Sequence, residues 1–189
     1  MTVKEILKSA ILFTNNAPLL GLSTFCETSQ IVPTPAQQAD IDLYLKCFNF
    51  VYKEIASAYF PLLEKEEIKF EDNKFYIEKL NKKLLNIKKI FIGRKKLKFF
   101  MFPDHIFCEA DAASIVYSYL PNDFALDDKV NLFGGRVLAQ VMAYGVAREY
   151  SFIVGNFADA DVWECRFKQA LEVSFSAKPI CMLPKRRFF

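Results

Sequence analysis

The stretch Ile55-Ala56-Ser57-Ala58-Tyr59-Phe60-Pro61-Leu62-Leu63-Glu64-Lys65-Glu66-Glu67-Ile68-Lys69-Phe70 changes its hydrophobic period in the middle. On its N-terminal side Ile41, Leu45, Phe48, Tyr52, Ile55 and Tyr59 recur at steps of four and three, one continuous stripe of a helix. Leu43, Cys47, Phe50 and Val51 widen that stripe. Pro61 removes a backbone donor and biases the residue before it toward extended backbone, so the helix stops there. Beyond it Ile68 and Phe70 alternate with charged residues, the period of a strand with one wet face. At the other end Thr34 is placed to cap the helix, Pro35 suits the first helical position and Gln37 completes a capping box. A helix over 35–60 follows, about 39 Å long at 1.5 Å per residue.

Reading downstream, Glu71-Asp72-Asn73 predicts a turn, and Phe75 and Ile77 after it make a hairpin with the strand before. Ile87, Ile90 and Ile92 lead to a turn at Gly93-Arg94. Leu97, Phe99 and Met101 alternate after it, and Ile106, Cys108 and residues 114–120 predict two more strands. Short strands with turns between them fit a small antiparallel sandwich or barrel, its lysines on the solvent face. Helical signals return over 136–154, with Gly155 as the stop. A last helix begins near Asn156, with Val162, Trp163, Phe167, Ala170, Leu171 and Phe175 as its apolar face and Glu164–Lys168 as an i,i+4 pair. Upstream, Thr2 and Glu5 form a capping box for a first helix carrying Ile6, Leu7, Ala10, Ile11 and Phe13, ended by Asn15-Asn16-Ala17-Pro18. The expected fold is α+β: a bundle of about four helices (1–63 and 125–176), an inserted antiparallel β-sandwich or barrel (64–124), and an extended C-terminal arm (177–189).

Composition narrows the function classes. Hydrophobic residues make up 52% of the 189 and Phe alone contributes 20, which fits either a phenylalanine-rich core or surface that partners cover. Every apolar run is broken by Lys, Asn or Arg before it reaches the roughly 20 residues a membrane span needs. The start, Met1-Thr2-Val3-Lys4-Glu5, lacks signal-peptide order, so a cytoplasmic origin is expected. Cys26, Cys47, Cys108, Cys165 and Cys181 lie far apart with no C-x-x-C, a pattern of buried thiols rather than of disulfides or zinc.

No catalytic constellation emerges. The single histidine, His105, follows Pro103-Asp104 at a turn and has no G-x-S-x-G to accompany it. Gly134-Gly135 lacks the Lys-Ser/Thr of a phosphate loop and reads as a helix start. Asp127-Asp128 and Asp159/Asp161 lie beside helix starts, where acids suit the macrodipole. The expectation is a non-enzyme without cofactor or metal. Residues 64–99 hold twelve Lys/Arg against six Asp/Glu, which leaves a nucleic-acid-binding β module as the alternative; a solvated sheet face is the plainer reading. The last twelve residues hold four basic residues and no acid. Pro179 and Pro184 forbid a helix there. Arg and aromatic residues are the types enriched at interface anchors, so Lys178, Lys185, Arg186, Arg187, Phe188 and Phe189 read as a docking arm.

The order of elements, the segment Phe48-Asn49-Phe50-Val51-Tyr52-Lys53-Glu54-Ile55-Ala56-Ser57-Ala58-Tyr59-Phe60-Pro61-Leu62, and the segments Ala143-Tyr144-Gly145-Val146-Ala147-Arg148-Glu149-Tyr150 and Trp163-Glu164-Cys165-Arg166-Phe167-Lys168 resemble the tailed-phage head–tail adaptor (connector) proteins of the tail tubular protein A type. The likeness is one of layout and helix sequence over most of the chain. It implies a homo-oligomeric ring of twelve subunits in the virion neck, made in a host bacterial cytoplasm. Its partners would be the portal protein on one side and a tail or nozzle protein on the other, with DNA passing through the channel. In several members a C-terminal segment docks on the portal, a role that falls by position on residues 185–189. Channels in the family tend to be acidic, whereas this chain carries a net charge of +3.

Overall fold

In the computed structural model, residues 1–26 and 29–176 are described, the side chains of residues 175 and 176 excepted. The chain divides into two compact units, one of Met1–Val51 with the chain from Phe124 onward, the other of Tyr52–Asp123. Helices and antiparallel sheets together make an α+β fold with four α-helices.

In the first unit α1 (Val3–Phe13) begins at the Thr2 box: Glu5 N–H donates to Thr2 Oγ1 and Thr2 N–H donates to Glu5 Oε2. Two more of its orphan donors, the N–H groups of Val3 and Lys4, reach the carbonyls of Asp128 (3.1 Å) and Leu126 (2.9 Å). Helix α2 (Pro35–Glu54) opens with the Thr34–Gln37 box in both directions. Its buried seam runs through Ile41, Tyr44, Phe48 and Val51. The expected stripe is thus rotated: Leu45 and Tyr59 are only half-buried and Phe50 is exposed. The α-helix also ends at Glu54 rather than Phe60. Ile55–Tyr59 forms a π turn closed by Phe60 N–H on the Ile55 carbonyl at 2.8 Å, and Pro61 holds Phe60 out of helical backbone.

Helix α3 (Ala139–Ile153) starts three residues later than the sequence suggests. Gly134 and Gly135 adopt positive φ and Leu138 is extended, so the chain turns before it coils. Helix α4 spans Phe157–Ser176, after Gly155 at φ 81°. It buries Ala160, Phe167 and Leu171, but Val162 is exposed. Gly145 is the close-approach point of α3. A Cβ there would lie 2.5 Å from Val51 Cγ1 of α2 and 2.9 Å from Phe167 Cε2 of α4. Tyr44 stacks on Tyr150 at 4.0 Å and its hydroxyl hydrogen-bonds Thr14 Oγ1. The Asn49 amide clamps the returning backbone, donating to the Phe124 carbonyl (3.1 Å) and accepting from the Phe124 N–H (2.7 Å).

The second unit holds seven strands: β1 (Leu63–Lys69), β2 (Lys74–Tyr76), β3 (Leu84–Ile92), β4 (Lys95–Lys96), β5 (Phe100–Met101), β6 (His105–Phe107) and β7 (Ala112–Tyr119). They form a four-stranded sheet ordered β1-β7-β3-β4 and a three-stranded sheet ordered β2-β6-β5, every pairing antiparallel. One core joins side chains of both sheets, including Ile68, Ile90, Ile115 and Tyr117 from the larger and Phe75 and Ile106 from the smaller. The expected β1–β2 hairpin closes only at its turn, where Glu71 and Lys74 exchange both backbone hydrogen bonds at 2.9 Å. Asp72 and Asn73 do make the turn, both at positive φ, but β1 pairs with β7 and β2 with β6. Ile77 lies in a 3-10 turn. The hairpin at Gly93-Arg94 does form, with Ile92 opposite Lys95. Near the chain crossings Lys53 pairs with Asp123.

Candidate interaction surfaces

The residues with chemical potential are scattered. His105 Nδ1 meets Asp104 Oδ1 at 2.7 Å, and its ring stacks on Phe102 at 4.6 Å. That hydrogen bond holds the exposed Asp104 carboxyl below its ordinary pKa. Asp128 Oδ2 accepts from Ala125 N–H and Asp159 Oδ2 from Asn156 Nδ2, so both carboxylates tie local turns. Asp127 borders an open cleft with Thr2, Lys8 and Phe25. Among the described residues no three His, Cys, Asp or Glu converge to hold a metal ion, and no helix is long and apolar enough to cross a membrane. Cys47 and Cys108 are buried, Cys26 is half-buried, and Cys165 is exposed on α4, against the expectation that it is buried. Arg148 bridges α3 and α4 through Glu164 at 2.8 Å, and Lys168 joins the same carboxylate at 2.7 Å. Burial would raise the Glu164 pKa, but the hydrogen bonds from Lys168 and Arg148 outweigh it and hold the group low.

Buried hydroxyls and thiols supply the strongest electrostatic perturbations. Burial pushes Tyr52 and Cys47 up to about 12, and it also raises Tyr44 and Tyr150. Tyr117 is raised by burial and then by the Glu66 carboxylate, to which its hydroxyl donates. Each of these groups stays protonated in the folded chain at a pH where the unfolded chain has lost the proton. The stability they contribute is therefore full below about pH 9 for Cys47 and below about pH 10 for the tyrosines, and falls as pH rises toward the folded pKa, by about 1.4 kcal/mol per pH unit per group. Alkaline titration followed by phenolate absorbance and far-ultraviolet circular dichroism is expected to show Tyr44, Tyr52, Tyr117 and Tyr150 ionising together with loss of helix and sheet. Phenolate formation at all eight tyrosines near pH 10 with the fold intact would contradict this.

Two surfaces stand out. On the helical unit the turn between α3 and α4 leaves Phe152, Ile153, Val154 and Phe157 each more than half exposed, the two rings meeting edge to face at 5.5 Å. Burial of all four in a subunit contact would contribute about 1.5–3 kcal/mol per large side chain. On the β unit the outward face of the larger sheet is cationic. A bulge between Ile87 and Lys89 lets Ile87 and Ile90 both face the core, which turns Lys89 and Phe91 outward. Lys65 on β1 and Lys89 on β3 hold their Nζ atoms 5.3 Å and 5.1 Å from the Phe91 ring centre.

The docking-arm residues Lys178, Lys185, Arg186, Arg187, Phe188 and Phe189 lie outside the described residues, as does Cys181. The turn cluster was not singled out by sequence: Val154 marks only the expected end of the third helix, and only the folded chain reveals its exposure together with that of Phe152, Ile153 and Phe157. No protein-family model matches the chain, and a search of curated proteins finds no match.

Proposed function

We propose that this chain is a structural subunit that works by assembling with copies of itself, and specifically a ring protein of the tailed-phage neck joining portal to tail. The observation that carries the reading is the exposed cluster of Phe152, Ile153, Val154 and Phe157. Monomers seldom leave contiguous apolar surface of this kind in water, and a heterologous contact with a neighbouring subunit would cover it and close a ring. The resemblance of layout and helix sequence implies the portal, the tail or nozzle protein and the passing DNA as the ring's neighbours, and the virion neck as its location. The C-terminal arm would reach the portal.

The test is light scattering and negative-stain electron microscopy of the purified protein. Rings of about twelve subunits are the expected particles. Replacing Phe152 and Phe157 with serine is expected to shift the midpoint of assembly by about 100-fold or more in concentration. The circular dichroism spectrum should stay the same, because both side chains lie outside the core. A monomer at high concentration, or assembly indifferent to the double substitution, would remove the basis of the proposal.

A further inference from the structure

The outward face of the larger sheet carries a furrow. Its floor is β7, whose outward residues there, Ala112 and Ser114, are small. One wall is Glu67 and Lys69 of β1, paired with Ser114 and Ala112; the other is Phe91 of β3 and Gly93 in the turn after it. The space enclosed is about 400 Å³. Its walls stand two strand spacings apart, about 9.6 Å. Lys69 lines it with the acid Glu67, Lys96 lies directly across from Phe91, and Lys65 and Lys89 hold their Nζ atoms over the Phe91 ring. None of these four lysines is ion-paired with another described residue, whereas Lys53, Lys79 and Lys82 elsewhere in the unit each have a carboxylate partner.

We propose that this furrow binds a single strand of nucleic acid, its phosphates on the lysines and one base on the face of Phe91. The inference goes beyond the ring reading and does not depend on it. Width argues for one strand, since walls two strand spacings apart are too close to seat a duplex. Chemistry argues for nucleic acid over an acidic peptide. A peptide binds a sheet best by adding a strand to an edge, where unpaired N–H and C=O groups wait. The furrow lies over the face of the sheet, with Ser114 of β7 paired on both sides and Ala112 paired with β1, so side chains supply most of what faces the ligand. Those side chains are the set that single strands use: mobile cations flanking an aromatic plane. The cation–π contacts of Lys65 and Lys89 keep the ring dressed until a base replaces an ammonium, which then moves to a phosphate.

Fluorescence anisotropy of the full chain with a short labelled oligothymidylate tests this. Binding is expected at low salt, with log affinity falling against log salt at a slope of about −0.7 per phosphate neutralised. Lys65→Gln, Lys69→Gln, Lys89→Gln and Lys96→Gln combined should flatten that slope toward zero. Phe91→Ala should weaken binding by about 10-fold or more, and Phe91→Tyr, which keeps the ring, should restore it. Lys79→Gln, which removes a cation paired with Glu71, serves as the control and should leave affinity unchanged. The proposal is overturned by absence of binding at low salt. It is overturned equally if a duplex binds as tightly with no response to Phe91→Ala, or if polyglutamate competes as well as the oligonucleotide.

Discussion

Phe167→Ala is expected to lower the stability of the helical unit by about 3–5 kcal/mol, read as a fall in the urea midpoint of its helical signal. The ring is fully buried on α4 and lies against Gly145 of α3, with the Arg148 guanidinium 4.8 Å from its centre. Truncation there opens a void bordered on one side by Gly145, which has no side chain to move into it. A domain with a total stability of about 5–15 kcal/mol loses a large share of it. Gly145→Ala tests the same joint from the other side, and two effects compete. Alanine in a helix interior gains about 1 kcal/mol over glycine. The added methyl meets Val51 Cγ1 at 2.5 Å and Phe167 Cε2 at 2.9 Å. Val51 is β-branched and in a helix is nearly fixed at χ1, so it cannot swing aside. Overpacking costs about 1–3 kcal/mol, and the net change is expected to be destabilising. Adding Phe167→Leu to Gly145→Ala should recover part of the loss, because the two share one volume and are not additive. A fully additive cycle would show that Gly145 is not set by this contact.

What the sequence discloses about this fold is what local chemistry decides. The two capping boxes need only residues three apart, and both form. The change of period at Pro61 rests on one missing N–H and a shift from steps of three and four to alternation, and the helix-to-sheet transition falls there. Strand partnership is another matter. Alternation tells which face a residue takes and nothing about which strand lies beside it, so Glu71-Asp72-Asn73 suggests a hairpin while β1 closes instead with β7, the last strand of the unit. The π turn at Ile55–Tyr59 and the rotation of the α2 seam onto Tyr44 and Val51 depend on what the helix packs against. The same holds for the surfaces. The lysines between 64 and 99 are visible as a solvent-facing set, but the furrow needs Phe91 beside them. Its direction turns on a bulge that periodicity from Ile87 alone would place the other way. The exposed Phe152–Phe157 cluster hides inside what reads as ordinary helix ends, since apolar residues at a turn have no pattern to betray them.

Deleting residues 178–189 is expected to leave a folded protein that no longer joins its neighbour. Among the described residues the buried positions of the first unit end at Leu171, ahead of the deleted segment, so circular dichroism and the urea midpoint should stay within error of the full chain. Binding is the quantity that should collapse. Lys178, Lys185, Arg186 and Arg187 with Phe188 and Phe189 concentrate in twelve residues the two side-chain types that most often anchor interfaces, with no acid among them. Loss of two anchors at about 2 kcal/mol each weakens a complex by about three orders of magnitude. Pull-down and electron microscopy with a purified tailed-phage portal protein measure it directly. The paired variants Arg186→Ala/Arg187→Ala and Phe188→Ala/Phe189→Ala divide the effect. Loss through the arginines should weaken as salt rises, since screening already removes part of their contribution, whereas loss through the phenylalanines should not. Ring formation is a separate reading, carried by the turn cluster of the helical unit, and the truncated chain should still form rings. A truncated chain that binds its neighbour as tightly as the full one would end the arm proposal and leave the ring proposal standing.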